Sequence, residues 1–521
     1  MLSKLLSVSL FCGGVLGHQV RVTKGGGWNE YGSVRVTLVS NGTESFDEKE
    51  TTAALTYSSP FTYRWTDFSI RTGLQNMEEG SNKLKLGGID VTVDLPKEGS
   101  GVEGIFVADP CVSSKWISCL VKFDVGSRLP ALLNAASETS KLDFFGILGD
   151  NFYDRYGHLS SEFFARLSPR MQETFLYAVI GNHDYWVYGT PWLKASKKDQ
   201  MGYGFAQFYP QDTQAARGKG EGTAPFDFSV DPNKAWWGTE EGGEEEEAAE
   251  IADRTDPFVW GESFASPFPQ TNSSTAASAS SWLGAKVEAF VDELRPYVES
   301  SEEPEAFEEA LNELRVRRRL SLVGDVRGLG GTGPVAHPSN FFFFNQLGDL
   351  GFVGYTPLGS WEEMKPWFEE ACTYMQRDSV KHVYILNHWN KPGMGAKKTL
   401  ETPAVWRRLP KEIEACTPIE QKLRYAMGHE HCNRPEDGGR GLMVGGTGMT
   451  EMMGCQHAWG FAYISTKGKG GEGDGDLTVA YFTVATDSED KYSEIMECLR
   501  EKGGPSQCLH LADVWIGGDA K

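Results

Sequence analysis

Two hydrophobic rhythms divide the chain. Between residues 18 and 100, short stretches such as QVRVT, SVRVTLVS, AALTYS and GIDVTVDL alternate apolar and polar positions, and clusters of Gly and Asn separate them. That alternation predicts antiparallel strands with one covered face. They form either a small β-domain or an extra sheet leaning on the rest of the fold. From residue 102 the rhythm changes to continuous apolar runs. GIFVA, DFFGIL (Asp143–Leu148) and FLYAVI (Phe175–Ile180) read as strands buried on both faces, with Ser127–Ser140 and Ser161–Thr174 as the helices between them. The same rhythm returns after residue 338. Phe341–Phe344, Leu350–Tyr355, VYIL (Val383–Leu386), LRYAM (Leu423–Met427), GLMVGG, WGFAYIS and LTVAYFTVA predict strands. Ser360 with Glu363 makes a capping box for a helix running through Cys372.

The two halves are separated by residues 191–337, which lack either rhythm over much of their length. Glu240–Glu250 is an acidic, glycine-containing run and Thr271–Ser281 is rich in Ser, Thr and Ala, so both read as solvated or disordered loop. Helical periodicity over Ala285–Ser300 and Glu303–Leu320 predicts a helical hairpin within this insertion. Trp236, Trp237 and Trp260 either pack it on the core or line a groove. The expected organisation is therefore residues 1–17 as a leader, 18–100 as a β-rich region, 101–190 as the first half of an α/β core, 191–337 as a partly disordered, partly helical insertion, and 338–521 as the second half with a C-terminal tail.

Composition narrows the surroundings. The chain has 521 residues and a formal net charge of −22, which argues against a nucleic-acid backbone as partner. The opening MLSKLLSVSLFCGGVLGHQ has one early lysine, a short apolar stretch and small residues after it. It reads as a secretory signal peptide, too short to span a bilayer, so no membrane contact is expected after its removal. Nine cysteines are present, and eight remain once Cys12 is removed with the signal. An even number suits full pairing in an oxidising place, either outside the cell or in a vacuole- or lysosome-like lumen. Connectivity does not follow from sequence; Cys111–Cys119 and Cys498–Cys508 are candidate local pairs. Asn41-Gly42-Thr43 and Asn272-Ser273-Ser274 are glycosylation acceptors that agree with secretion.

The chemistry sits where the apolar runs stop. Asp143–Leu148 ends in GDNFY (Gly149–Tyr153), Phe175–Ile180 in GNHD (Gly181–Asp184), VYIL in Asn387-His388-Trp389, and LRYAM in Gly428-His429-Glu430-His431. Open α/β sheets place their sites at such carboxyl ends of strands. Carboxylate, imidazole, amide oxygen and phenol together suit Fe, Mn and Zn. Taken singly, His388 is an ordinary histidine, Tyr153 a core residue and GHEH a loop with two exposed imidazoles. Their shared position after strands makes them candidate ligands.

The order GDxxY, GNHD, a lone His after a strand and GHxH resembles the calcineurin-like metallophosphoesterases. The Tyr in GDNFY resembles the purple acid phosphatase branch, and the brevity of that element resembles its small, tartrate-resistant acid phosphatase members. The resemblance covers roughly residues 102–190 and 338–487. It implies an α/β fold, the four-layer αββα sandwich, and a secreted dimetal phosphoesterase that hydrolyses phosphomonoesters by metal-activated hydroxide. It implies Fe(III) paired with Fe(II), Zn(II) or Mn(II), and a phosphate ester substrate. Asp150 would bridge the ions; Tyr153 and His431 would belong to the first, Asn182, His388 and His429 to the second, and Asp109 would be a further metal ligand. His183 would stand beside the substrate phosphate, oriented by Asp184.

The first motif departs from the family pattern. Asp109 in FVADPCV stands at the expected place, but Ala108, Pro110 and Cys111 replace the usual neighbours. Cys111 pairs with Cys119, binds metal as a thiolate, or only packs. Asp124 is a fallback ligand. His158, His337, His382, His457 and His510 fit no motif position, with His457 the least settled because it follows GGTGM. Two other readings stay open: hydrolysis of phosphodiesters or pyrophosphates at the same site, and a secreted binding protein on a phosphatase scaffold. The oligomeric state is not legible.

Overall fold

Continuous apolar runs become central strands because each is covered on both sides. The computed structural model describes residues 18–41 apart from 28, 57–62, 68–113, 117, 119–120, 124–154, 157–184, 205, 208–211, 342–357, 360–392, 399–449, 459–467, 477–484, 489–516 and 519–520. The expected signal peptide lies outside the described residues, as do His337, Cys455, His457, Trp236, Trp237, Trp260, the acidic run and the helical stretches of the insertion.

An eleven-stranded sheet contains, among others, β1 (Gln19–Lys24), β2 (Ser33–Asn41), β3 (Tyr57–Thr62), β4 (Phe68–Asn76), β7 (Glu103–Val107), β8 (Phe144–Leu148) and β9 (Phe175–Val179). It also takes β16 (Trp459–Ser465), β17 (Thr478–Val484), β18 (Asp513–Ile516) and β19 (Asp519–Ala520), in the order β19-β18-β17-β16-β7-β8-β9-β1-β2-β4-β3. A six-stranded sheet holds β10 (Phe343–Leu347), β11 (Leu350–Gly354), β12 (His382–Leu386), β13 (Leu423–Met427), β14 (Asn433–Glu436) and β15 (Gly441–Val444), in the order β10-β11-β12-β13-β15-β14. β7, β8 and β9 run parallel, and so do β11, β12, β13 and β15.

Alternate residues of each central strand face different layers. Phe106, Phe144, Leu148, Tyr177 and Val179 of the first sheet meet Phe352, Tyr384, Leu386, Ala426 and Val444 of the second in one buried core. Aromatic rings lock the two sheets together, with Phe144 and Phe352 5.2 Å apart and Tyr177 and Phe352 4.1 Å apart. The intervening residues Ile105, Val107, Phe145, Ile147, Leu176 and Ala178 pack outward against helices α1 (Val125–Glu138), α2 (His158–Arg166) and α6 (Glu489–Lys502). On the other side, Val383, Ile385, Leu423 and Met427 pack against α4 (Trp361–Met375) and α5 (Thr402–Glu412). Helix, sheet, sheet and helix make the four-layer αββα arrangement, an α/β fold as the sequence predicts. Each fully buried large apolar side chain in these layers contributes about 1.5–3 kcal/mol.

The alternating strands near the amino terminus extend the first sheet. β1 pairs in parallel with β9 at Val22 and Phe175 and antiparallel with β2 along its whole length. The hairpin of β5 (Gly80–Leu86) and β6 (Ile89–Leu95) lays Leu86, Val91, Val93 and Leu95 against the core between the sheets. One predicted helix is two: α2 stops at Arg166, and α3 (Pro169–Gln172) follows. Proline pushes the residue before it into extended backbone, and Ser168 uses that conformation to accept the Met171 N–H as an N-cap. Disulfides join Cys111 to Cys119, Cys372 to Cys416 and Cys498 to Cys508. Cys432 is also disulfide-bonded.

The turn before β11 buries Asp349, and burial raises its carboxyl from 3.8 to about 6 although the Thr466 hydroxyl donates to it. The folded state therefore holds this proton more tightly than the unfolded chain. Its contribution is fully present below about pH 4 and is lost as pH rises through about 6. Asp349→Asn should match the parent's stability at about pH 4 and exceed it by about 1–3 kcal/mol at about pH 8. Thermal unfolding at both pH values checks this; parallel shifts at both would contradict it.

Candidate metal centre

The carboxyl ends of the parallel strands deliver the polar residues to one place. Asp109 follows β7, Asp150 follows β8, Asn182 and His183 follow β9, His388 follows β12, and His429 and His431 follow β13. Backbone hydrogen bonds stitch these loops together: Ala108 N donates to Val444 O at 2.9 Å, Asp109 N to Gly149 O at 3.0 Å and Gly428 N to His388 O at 3.0 Å. Asp109, Asp150, Tyr153 and His429 all have left-handed backbone, with φ of 53°, 50°, 52° and 72°. Residues with a Cβ adopt it only where surroundings impose it, and such positions gather at functional sites. Two glycines permit the close approach. A Cβ on Gly149 would lie 2.4 Å from the His388 ring, and one on Gly181 would lie 2.2 Å from the Asp150 carboxylate.

The side chains form two groupings. In the first, Tyr153 Oη lies 3.3 Å from Asp109 Oδ1 and 3.1 Å from His431 Nε2, and His431 Nε2 lies 3.8 Å from Asp109 Oδ1. In the second, His429 Nδ1 lies 3.2 Å from Asn182 Oδ1 and 3.3 Å from His388 Nε2. Asp150 stands against the second, with Oδ2 3.4 Å from His388 Nε2, and His388 Nε2 is itself 4.0 Å from Asp109 Oδ1. Ligand atoms of Asp109, Asp150 and His388 all fall within 4.8 Å of one another. The structure thus brings together all seven residues that the sequence offers as ligands. Asp109, Asp150 and His388 are fully buried, whereas His183 and His431 are partly exposed, so the pocket opens on their side.

Orientation and charge both suit a cation. His388 Nδ1 lies 2.9 Å from the carbonyl of Leu148. Donation to that carbonyl leaves Nε2 free to face the carboxylates, the usual support of a ligating imidazole. Burial opposes charge on His388, but Asp150 and Asp109 overcome it and hold the imidazole at about 9. Burial and the neighbouring Asp150 hold the Asp109 carboxyl well above its ordinary range, although His388 draws it down. Burial also raises Asp150, yet His388 and His183 bring it below the usual carboxylate range. Burial and Asp109 keep the Tyr153 phenol protonated, and burial with the charge on His388 lowers His429 to about 3. Two carboxylates therefore compete for one imidazolium, and the remaining groups hold or lose protons to limit the excess charge. A hard or borderline cation satisfies the same donors without protons, so the residues fit such an ion.

The next layer differs from expectation. The resemblance implies that Asp184 orients His183, whereas its carboxylate accepts Asn151 N at 2.8 Å, Asn151 Nδ2 at 2.9 Å and Gly181 N at 2.7 Å. It braces the GDNFY loop against the GNHD loop. The His183 backbone N–H donates to Asp150 Oδ1 at 2.8 Å, and its ring lies 4.7 Å from that of Tyr153. Asn151 was not singled out from the sequence; its position inside GDNFY, between two ligand candidates, was the available signal. The Leu148 carbonyl gives no side-chain signal at all. Cys111 is held in its disulfide, which removes the thiolate alternative. Asp124 is exposed at the start of α1, and His158 is exposed at the start of α2.

No family model matches the chain and no curated protein matches it. Among solved structures it is similar to the purple acid phosphatase PPD1 isolated from yellow lupin (Lupinus luteus) seeds, with a TM-score of 0.43 and 11% identity over 91% of this chain and 73% of that one. It is also similar to PhoD, with a TM-score of 0.36 and 10% identity over 91% of this chain and 87% of that one. At scores this low neither likeness bears on activity.

Proposed function

We propose that this chain is a secreted dimetal hydrolase of phosphate esters, acting on phosphomonoesters. The observation that supports the reading is the pair of adjoining ligand groupings, with ligand atoms of Asp109, Asp150 and His388 within 4.8 Å of one another. Asp109, Tyr153 and His431 would hold one ion, Asn182, His388 and His429 the other, and Asp150 both. Bound together, Fe(III) and Fe(II), Zn(II) or Mn(II) would supply neutralising charge for the phosphoryl oxygens and an activated water. The protein's own part is to fix the ions at the carboxyl ends of two sheets, to leave one side of the pocket open, and to put an imidazole there. His183 stands on that open side and would donate a proton to the leaving oxygen. Asp184 would act through the loops that it ties together. The disulfides fit an oxidising lumen or the cell exterior. No helix among the described residues is long and apolar enough to cross a membrane.

Metal analysis of the purified protein, run beside a pH profile on an aryl phosphate, tests the reading. Two ions per chain and turnover of the monoester are expected. Two ions with preference for a diester or pyrophosphate would move the substrate assignment, and two ions with no ester cleavage would favour a binding role. Tyr153 decides the type of centre. Burial and the adjacent Asp109 hold its proton, and coordination as a phenolate would favour a trivalent ion such as Fe(III). The parent should show a visible phenolate-to-iron absorption band, and Tyr153→Phe should abolish it. A colourless, fully active parent would rule out the iron–phenolate centre.

A further inference from the structure

We infer that the Cys111–Cys119 disulfide positions one half of the metal centre, the half built from Asp109, Tyr153 and His431. The inference rests on the dimetal reading above and concerns a bond that the sequence motif does not explain. The two cysteines and Tyr153 form a single buried cluster, closed by Ile117 and Met449. The wall behind the candidate phenolate is therefore the disulfide itself. The backbone repeats the arrangement. Cys111 forms a parallel bridge with Phe152, the residue before Tyr153, and its N–H donates to Thr447 O at 3.0 Å. At the far end of the loop, Leu120 N donates to Gly448 O at 2.9 Å, and Cys119 N donates to Ser113 Oγ at 3.2 Å.

Asp109 stands two residues before Cys111, and both Asp109 and Tyr153 have left-handed backbone. Neither conformation persists without rigid surroundings. The disulfide meets the loops that carry Asp109 and Tyr153, and Cys432, the residue after His431, is disulfide-bonded as well. The other half is held differently: His388 leans on the Leu148 carbonyl, and His388 and His429 leave adjacent strands of the second sheet. Where the resemblance expects His or Gly, this chain places a cysteine whose sulfur is already paired. It contributes as a brace and not as a ligand.

The test replaces both cysteines, Cys111→Ala with Cys119→Ala, and counts metal ions per folded chain. The affinity of one ion should fall roughly 10–100-fold, the range for removing a group that orients a ligand, while the other ion stays. The Tyr153 absorption band should fade with the ion lost. The pair Cys498→Ala with Cys508→Ala, a local disulfide outside the centre, should keep both ions. Unchanged affinity for both ions overturns the inference, as does equal loss in the control pair. Should the first pair fail to fold, the parent is titrated with a water-soluble phosphine. The phosphine takes oxygen from water as it becomes its oxide and leaves Cys111 and Cys119 as two thiols. Release of one ion in step with the mapped opening of that bond supports the inference; retention of both ions after opening overturns it. A parent without metal overturns this inference and the dimetal reading together. A parent with two ions and no esterase activity overturns the substrate assignment alone.

Discussion

Asp150→Asn should empty the site of metal and bring turnover down to background. On the dimetal reading Asp150 is the carboxylate that both ions would share, and it is buried, with Oδ1 on the His183 N–H and Oδ2 beside His388. An amide keeps the shape but gives up the charge, and a neutral oxygen cannot satisfy two cations at once. Removing one member of a buried charge pair costs about 3–5 kcal/mol. That is a loss of roughly 10²- to 10³-fold or more in affinity. Both ions depend on this residue, so they should leave together. Elemental analysis after gel filtration, alongside the rate on an aryl phosphate, checks the outcome. Retention of both ions with normal affinity would show that Asp150 is not shared.

His183→Ala should do the opposite with the metals and nearly as much to the rate. Its imidazole is absent from both ligand groupings, and its backbone N–H donates to Asp150. Alanine retains that N–H, so both ions should stay. Turnover should fall roughly 10²- to 10⁴-fold, the usual contribution of a positioned acid or base. The deficit should shrink on substrates with good leaving groups, which depart with little protonation. A variant as active as the parent on a poor leaving group would remove His183 from the mechanism. Loss of metal would instead make it a support for Asp150.

The strands of the two central sheets were legible because burial on both faces writes itself as unbroken apolar sequence. DFFGIL and FLYAVI gave β8 and β9 almost to the residue. Which sheet each strand joins was not legible, since partner choice depends on contacts far apart in sequence. β1 shows this: it meets β9 through Val22 and Phe175, and nothing local in QVRVT announces that partner. The helix expected over Ser161–Thr174 broke at Pro169, where the backbone rule for proline outweighed apolar periodicity. At the site, residue types and order were readable, but second-layer wiring was not. Asp184 looked like a partner for the neighbouring imidazole, whereas its carboxylate serves the amides of Asn151 and Gly181. The left-handed backbone of Asp109, Asp150, Tyr153 and His429 carries no sequence mark, because glycine is the residue that normally signals it.

The division of ligands between two sheets also sets a timetable for the growing polypeptide. Asp109, Asp150, Tyr153 and Asn182 are all made before residue 191, and the imidazoles of His388, His429 and His431 come nearly two hundred residues later. A ribosome-bound chain that has made only β1–β9 carries two carboxylates, a phenol and an amide, a set with no imidazole ligand. The nitrogen donors arrive only when β12 and β13 have been translated and have docked across the aromatic layer. On the dimetal reading, loading with metal is then an event of the finished chain, and maturation in an iron- or zinc-poor compartment would release a folded but unloaded protein.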